Sequence, residues 1–208
     1  MSGRRLQVGR VVRACTRDFS IGCTVMRPDI PAFGSFVLAQ GQTSGQAIYG
    51  LIYDVSVDDD PFVLQVVGAN PPEEFVLDQR TNRQVPIEVR VLVVGCADRG
   101  AAVGSGPPSP GAVRHCLPAQ PPLTLDWLYQ CTHEEVRTFT ARFDYFRLVL
   151  ESPEVPADEL LAASLRAAAE ARPESEREEF LVSAGRELVR FLAGDPTRLE
   201  QLLGRLRS

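Results

Sequence analysis

Two short stretches of the chain carry side chains that could bind zinc or act as nucleophiles, His115-Cys116 and Cys131-x-His133. Zinc takes four such groups in a tetrahedron, and structural sites usually supply them from tight pairs such as C-x2-C. Neighbouring residues of an extended segment point to opposite faces, so His115 and Cys116 cannot easily reach one ion. We therefore interpret these four residues as ordinary histidines and thiols, and we predict no metal site and no cofactor.

Other catalytic constellations are missing from the sequence. All 22 residues of the Lys+Arg count are arginine, which excludes a phosphate-loop lysine, a Schiff base and a lysine general base. There is no GxSxG elbow and no glycine-rich dinucleotide motif, and Asp58-Asp59-Asp60 lacks the glycine and distal glutamate of a calcium loop. We predict that the protein is not an enzyme. A cysteine-dependent enzyme that uses a thiol–histidine pair is the catalytic alternative.

A basic cluster near Phe19 is formed by Arg4, Arg5, Arg10, Arg13 and Arg17, and the candidates for contact with nucleic acid are Arg10, Arg13 and Arg17. A nucleic-acid groove needs basic residues interleaved with stacking aromatic side chains on one face. The formal net charge of −5 argues against general binding to phosphate backbones, although it allows a local basic patch. Solvated arginines are the simpler interpretation of the cluster.

The cysteine pattern and the hydropathy of the chain bear on its compartment. Five cysteines without CxxC spacing indicate free thiols in a reducing environment. The sequence shows no signal peptide, and no apolar run approaches the ~20 residues that a membrane span needs. These features predict a cytoplasmic protein that does not contact a membrane.

Alternation of apolar and polar residues predicts β-strands through the first half of the chain. The longest run covers residues 46–57, with Gly50 inside it and an acidic turn after it. Shorter runs cover 6–14, 19–25, 36–39, 85–97 and 113–117. Segments 63–67 and 73–80 are ambiguous between strand, helix and irregular structure. Strands at this spacing predict a small antiparallel β-barrel over residues 1–122, with a disordered loop at about 98–111.

The hydrophobic period changes in the second half, which predicts a helical region over residues 123–208. Thr132 and Glu135 form a capping-box pattern at its first helix. Helices are predicted near 133–151, 157–171, 174–193 and 196–206. The fold class is therefore α+β, a β-barrel followed by helices. Their apolar stripes either pack on the barrel or dock a partner; the candidate docking residues are Phe180, Leu188, Leu199, Leu202, Leu203 and Leu206.

The order of these segments resembles the HAS barrel, the N-terminal β-barrel of HerA-type DNA-translocating ATPases and of rotary ATP synthase subunits. The points of similarity are Val8 to Val12, Gly34 to Val37, Tyr49 to Ile52 and the proline-rich exit segment from Leu117 to Glu135. The pattern is made of apolar residues and glycines and contains no catalytic signature. In HerA-type proteins an ATPase with a lysine-bearing phosphate loop follows the barrel, whereas about seventy-five helical residues without lysine follow it here.

What the resemblance implies is a role in assembly. HAS barrels help to arrange subunits in a ring or dock an associated protein such as the NurA nuclease. We therefore expect a non-catalytic assembly or adaptor module that self-associates as a homo-oligomer, docks to a HerA-like ATPase or a related DNA-processing complex, or does both. Direct binding of nucleic acid through the N-terminal arginines is the alternative from a different functional class.

Overall fold

The structure is a computed structural model, and it describes residues 6–25, 32–43, 45–57, 69, 72–74, 77, 85–98 and 112–207. Seven strands are present among these residues: β1 (Gln7–Ala14), β2 (Asp18–Val25), β3 (Phe36–Gln40), β4 (Gln46–Val57), β5 (Val85–Asp98), β6 (Val113–Arg114) and β7 (Trp127–Gln130). The ambiguous segment 63–67, most of 73–80, the acidic run 58–60 and nearly all of the predicted loop at 98–111 lie outside the described residues.

Six of the strands close into an antiparallel barrel. Their order is β2-β1-β7-β3-β4-β5, and β5 pairs with β2 to close the sheet. Strand β6 pairs with the C-terminal end of β5. The prediction of a small antiparallel barrel followed by helices is confirmed at this level. The structure also adds a strand that the sequence pattern did not indicate, because β7 lies within the region predicted to be helical and pairs with both β1 and β3.

The barrel interior is filled by one set of alternating side chains. Val11 on β1, Ile21 on β2 and Ile48 on β4 are fully buried in it, and Leu128 shows that β7 contributes to the same core. Burying apolar area in this way is the main favourable contribution to folding. The alternation of the predicted strands is therefore explained by their inward faces.

A second core lies outside the barrel, between its wall and the helices. Strand β3 reads Phe-Val-Leu-Ala and is buried on both faces, with Val37 directed inward and Leu38 directed toward the helices. Tyr49 on β4 and Val94 on β5 also belong to this outer core. Strands covered on both faces lose their polar positions, so these segments are almost continuously apolar. The helices therefore cover the β3–β4–β5 side of the barrel.

Within residues 112–207 the helices are α1 (His133–Phe139), α2 (Phe146–Leu150), α3 (Ala157–Glu170), α4 (Glu174–Phe191) and α5 (Pro196–Arg207). The capping box at Thr132 and Glu135 is present. The last three helices lie close to the predicted ranges, but the predicted helix near 133–151 is divided into α1 and α2. None of the helices in the described part of the chain is both long enough and apolar enough to span a bilayer.

Side-chain hydrogen bonds hold Thr140, the residue at which α1 ends. The Thr140 hydroxyl donates to the Val136 carbonyl at 2.7 Å, and Arg172 Nη2 donates to the Thr140 hydroxyl at 2.9 Å. These hydrogen bonds give polar groups at the C-terminal end of α1 a partner, and the Arg172 side chain connects that end to the start of α4. The apolar period continues past Thr140 through Phe143 and Phe146, which explains why the sequence pattern indicates one helix.

A substitution in the outer core should destabilise barrel and helices together. Leu161 on α3 is fully buried in that core, so Leu161→Ala should lower the free energy of unfolding by about 2–5 kcal/mol. Because both parts share the core, helical circular dichroism and the fluorescence of Trp127, the only tryptophan, should change at the same urea concentration. Glu200→Ala, at an exposed position of α5, is the control and should cost less than about 0.5 kcal/mol. Separate transitions for the two probes would contradict a shared core.

Candidate docking face on the barrel

Among the residues that the structure describes, no helix packs closely on the side of the barrel formed by β1 and β7. Around the six-stranded ring, β1 lies three strands from β4 in either direction, so the two strands are on opposite sides. The helical layer packs on β4 and its neighbours, with α3 against β4 and α2 against β5. The outer surface of β1 and β7 is therefore directed away from the helices and toward solvent.

Large apolar side chains are exposed to solvent on this surface. Val12 is 64% exposed, Leu6 is 55% exposed, and Leu125, just before β7, is 72% exposed. Trp127 and Tyr129 alternate along β7 with the inward-facing Leu128 and are half-buried. Together with Arg10, these five residues define what we call the β1–β7 face. Several large apolar and aromatic groups on one exposed surface are typical of a site of interaction.

Arg10 is held over the aromatic centre of this face. Its guanidinium carbon lies 4.1 Å from the centroid of the Trp127 ring, within the range of a cation–π interaction. Its Nη1 donates to the Leu125 carbonyl at 2.7 Å. The pairing of Arg10 with Trp127 in the β1–β7 register places the two side chains on the same side of the sheet. The cation is thus preorganised above the ring, with its charge still facing solvent.

Leu125 adopts a backbone conformation that leucine rarely takes, with φ at 65°. The left-handed region costs a residue with a branched side chain roughly 1–2 kcal/mol. Two backbone hydrogen bonds hold the segment, from Leu125 N to the Val11 carbonyl at 2.8 Å and from Val11 N to the Asp126 carbonyl at 3.0 Å. A strained backbone that displays an exposed leucine is the kind of feature that accompanies function.

The three candidate arginines do not share one surface. Arg10 belongs to the β1–β7 face, and Arg13 is exposed further along β1, opposite Ser20 of β2. Arg17 is in the turn between β1 and β2, where it lines a polar cavity of about 150 Å³ with Asp18, Tyr53 and Glu154 at the seam between barrel and helices. Burial, aided by the nearby Asp18 charge, raises the pKa of Tyr53.

The apolar stripe of the last two helices lies against the chain itself. Phe180, Leu188 and Leu202 are buried in the outer core. Leu199, Leu203 and Leu206 are half-buried against the same core. Packing within the molecule therefore accounts for these six candidate docking residues, and the surface left to a partner on α4 is its opposite side.

The histidines and thiols of the sequence motifs are dispersed. His115 Nε2 donates to the Phe139 carbonyl at 3.1 Å, and its Nδ1 lies 3.8 Å from Asp144 Oδ2. His133 begins α1 and is exposed. Cys131 is buried, whereas Cys116 is exposed. In the part of the chain that the structure describes, no group of three or more His, Cys, Asp or Glu side chains could hold a metal ion.

Comparison with known proteins adds no further identification. No model of a known protein family matches the chain, and no curated protein matches it significantly. The sequence pattern also did not single out Trp127, Tyr129 or Leu125, which are central to the β1–β7 face. The sequence signal for β7 is the four-residue alternation Trp-Leu-Tyr-Gln between a proline-rich segment and a helix cap. This alternation is too short to be recognised as a strand. The functional argument therefore depends on the geometry of this face.

Stability should depend on pH through His115. Burial lowers the pKa of His115 below its usual 6.5, against the weaker opposing effects of the Phe139 carbonyl and Asp144. His115 is therefore protonated more readily in the unfolded chain than in the folded chain. As a result, the free energy of unfolding should fall as the pH drops from about 7.5 through 6.5.

His115→Gln should remove part of this pH dependence, because glutamine does not titrate and its amide can still donate to Phe139 O. Urea unfolding at several pH values above about 5, where most carboxylates stay ionised, measures the effect. The matched control is His133→Gln at the exposed start of α1. A pH slope identical in the wild type and in His115→Gln would contradict the assignment.

Proposed function

We propose that this protein is a non-catalytic assembly module that self-associates head to tail. The β1–β7 face of one copy docks on the outer surface of α4 of the next. The observation that carries the proposal is a pair of complementary surfaces, an apolar and cationic one on β1 and β7 and an apolar and acidic one on α4. The sequence resemblance to ring-forming HAS barrels supports the same role.

The chemistry of the β1–β7 face suits a protein partner. Interface hot spots are enriched in tryptophan, tyrosine and arginine, and they lie near the centre of a patch that excludes water. Arg10 and Trp127 provide that centre, and Val12 and Leu125 flank it with exposed apolar surface. Because Arg10 is already fixed by its bond to Leu125 O, little side-chain entropy is lost on docking.

The charge distribution favours a second copy of the chain as the occupant. Strand β1 carries two exposed arginines, Arg10 and Arg13, and no acidic residue. The first turns of α4 contain four glutamates and one arginine between positions 174 and 179, all exposed. Opposite charges steer association and set its orientation. The basic β1 region and the acidic start of α4 therefore attract one another between copies.

Apolar groups on α4 match those of the β1–β7 face. Val182 and Val189 are exposed and seven residues apart, so they lie on one side of the helix with Glu178 and Glu179 one turn before Val182. These four residues define the α4 outer surface. The buried side of α4, with Phe180, faces the core and is not part of it.

The two surfaces differ, so the contact between copies is heterologous. A heterologous interface forms a closed ring when its rotation closes and a filament when it does not. A ring agrees with the subunit arrangement that the resemblance implies. In a copy that is not part of a closed ring, the free β1–β7 face is also where a HerA-like ATPase would dock.

Self-association should depend on Val12, which lies on the β1–β7 face with its methyl group close to Gly22 and makes no polar contact there. Light scattering should give the wild type a mass above one chain. Val12→Asp should weaken association at least about tenfold, because it places an acid in an apolar contact that faces glutamates.

Leu117→Asp, also at an exposed apolar position but outside both surfaces, is the control and should leave the oligomer intact. A wild type that stays monomeric at all concentrations would contradict self-association. An oligomer that survives Val12→Asp unchanged would place the interface elsewhere.

Binding of single-stranded nucleic acid is a second candidate function, and the Arg10–Trp127 stack favours it. A base can stack on an aromatic ring while a nearby arginine contacts the phosphate, and such binding weakens steeply with salt. Tyr129 provides a further ring two residues along β7.

The fluorescence of the only tryptophan reports directly on this candidate site. If the second function is correct, an oligothymidylate should quench Trp127 at low salt, and Arg10→Gln should weaken binding more than Arg17→Gln, whose side chain lies at the barrel–helix seam. Absence of quenching, or equal effects of the two variants, would remove this candidate and leave the assembly role.

A further inference from the structure

A small polar cavity lies at the seam between the barrel and the helices. Its volume is about 150 Å³, which is the size of a cavity that can hold benzene. The barrel contributes Arg17, Asp18, Tyr53 and Leu92 to the lining, and the segment 152–155 between α2 and α3 contributes the rest. The two parts of the fold therefore meet around a space that is large enough for a small ligand.

Hydrogen bonds fix both walls of this cavity. On the barrel side, Val93 N donates to the Arg17 carbonyl at 2.8 Å, and the next residue, Asp18, begins the ladder between β2 and β5. On the helical side, the Ser152 hydroxyl donates to the Leu148 carbonyl at 2.6 Å. Because the walls are held by the fold itself, the cavity is formed before any ligand binds.

Tyr53 joins the lining at an irregular point of β4. Ile52 pairs with Val91 and Asp54 pairs with Arg90, so Tyr53 is the extra residue of a β-bulge between β4 and β5. Bulges change the direction of a side chain and are common beside active sites. The Tyr53 side chain is half-buried in the cavity wall, where it offers an aromatic surface and one hydroxyl group.

The charged groups of the lining do not neutralise one another. Among the described residues, none of Arg17, Asp18 and Glu154 forms an ion pair, whereas the neighbouring Asp54 pairs with Arg90 at 3.9 Å. The cavity therefore presents one guanidinium and two carboxylates to its contents. A ligand that carries one carboxylate and two cationic groups would give each of them a partner of opposite charge.

The Tyr53 hydroxyl is available to such a ligand as a donor. Burial raises the pKa of Tyr53, and the charges of Asp18 and Glu154 act in the same direction, while that of Arg90 opposes them. The phenol therefore stays protonated at neutral pH and can donate a hydrogen bond to a carboxylate.

We propose that this cavity binds a small basic α-amino acid, one with a second amino group on its side chain. Arg17 binds the α-carboxylate, the Tyr53 hydroxyl donates to the same group, and Asp18 and Glu154 accept hydrogen bonds from the two ammonium groups. A guanidinium fork fits a carboxylate with two parallel hydrogen bonds. An amino acid with an apolar side chain would leave one of the two carboxylates of the cavity without a partner. The inference does not rest on the proposed assembly role.

Ornithine is the probe for this site, and two related compounds separate its charges. Norvaline has the same carbon chain without the second amino group, and putrescine lacks the carboxylate. Isothermal titration calorimetry of the full chain at low salt should show one ornithine bound per chain, at least about tenfold more tightly than norvaline or putrescine. Absence of ornithine binding, or equal affinity for ornithine and either related compound, overturns the proposal.

Variants at exposed positions locate the ligand in the cavity. Arg17→Gln and Glu154→Gln should each weaken ornithine binding at least about tenfold, because each removes one charged partner of the ligand. The matched controls are Arg13→Gln and Glu151→Gln, at exposed positions outside the lining, which should bind ornithine as the wild type does. Unchanged affinity in either cavity variant, or an equal loss in the controls, overturns the proposal.

Discussion

The contact between the barrel wall and the helices through stacked aromatic rings is the interaction on which the rest of the structure depends. Tyr49 of β4 stacks on Phe139 of α1 with ring centroids 4.6 Å apart. Phe36 of β3 and Tyr145, just before α2, pack around the same ring at centroid distances of 5.8 and 5.4 Å. Aromatic pairs in these geometries contribute about 0.5–1.5 kcal/mol each beyond the burial of their area. The cluster fixes the helices to one side of the barrel and thereby leaves the other side open.

Two glycines permit this close approach. At Gly95 an added Cβ would lie 2.9 Å from Phe139 Cε2 and 2.7 Å from the Arg114 carbonyl oxygen. Glycine at this position therefore allows α1 and β6 to pack closely against β5. Gly34 has φ at 82°, and an added Cβ there would lie 2.5 Å from the Cβ of Ala163 on α3. A side chain at either position would push a helix or strand away from the barrel wall.

Local periodicity was sufficient to predict most of the regular elements but not their tertiary partners. The alternation of residues 46–57 and the capping box at Thr132 are local signals, and both correspond to observed elements. Strand β7 has four residues and is stabilised by pairing with β1 and β3, which are distant in sequence, so its signal was weak.

The sequence also left open whether the stripe containing Phe180 and Leu188 packs on the chain or on a partner. In the structure both side chains are buried in the outer core of the chain itself. The β1–β7 face could not be predicted either, since Arg10 and Trp127 meet only when the barrel closes.

A fold with one covered and one open side separates a basic apolar surface from an acidic apolar one, and head-to-tail assembly follows from that separation. The most direct measurement mixes two variants, Val12→Asp, which disables the β1–β7 face, and Val182→Asp with Val189→Asp, which disables the α4 outer surface at two exposed positions. Each variant alone should be monomeric by light scattering. Their mixture retains one intact interface between the two kinds of chain, so it should form a dimer and nothing larger. A mixture that stays monomeric, or variants that assemble alone as the wild type does, would contradict a head-to-tail contact between these two surfaces.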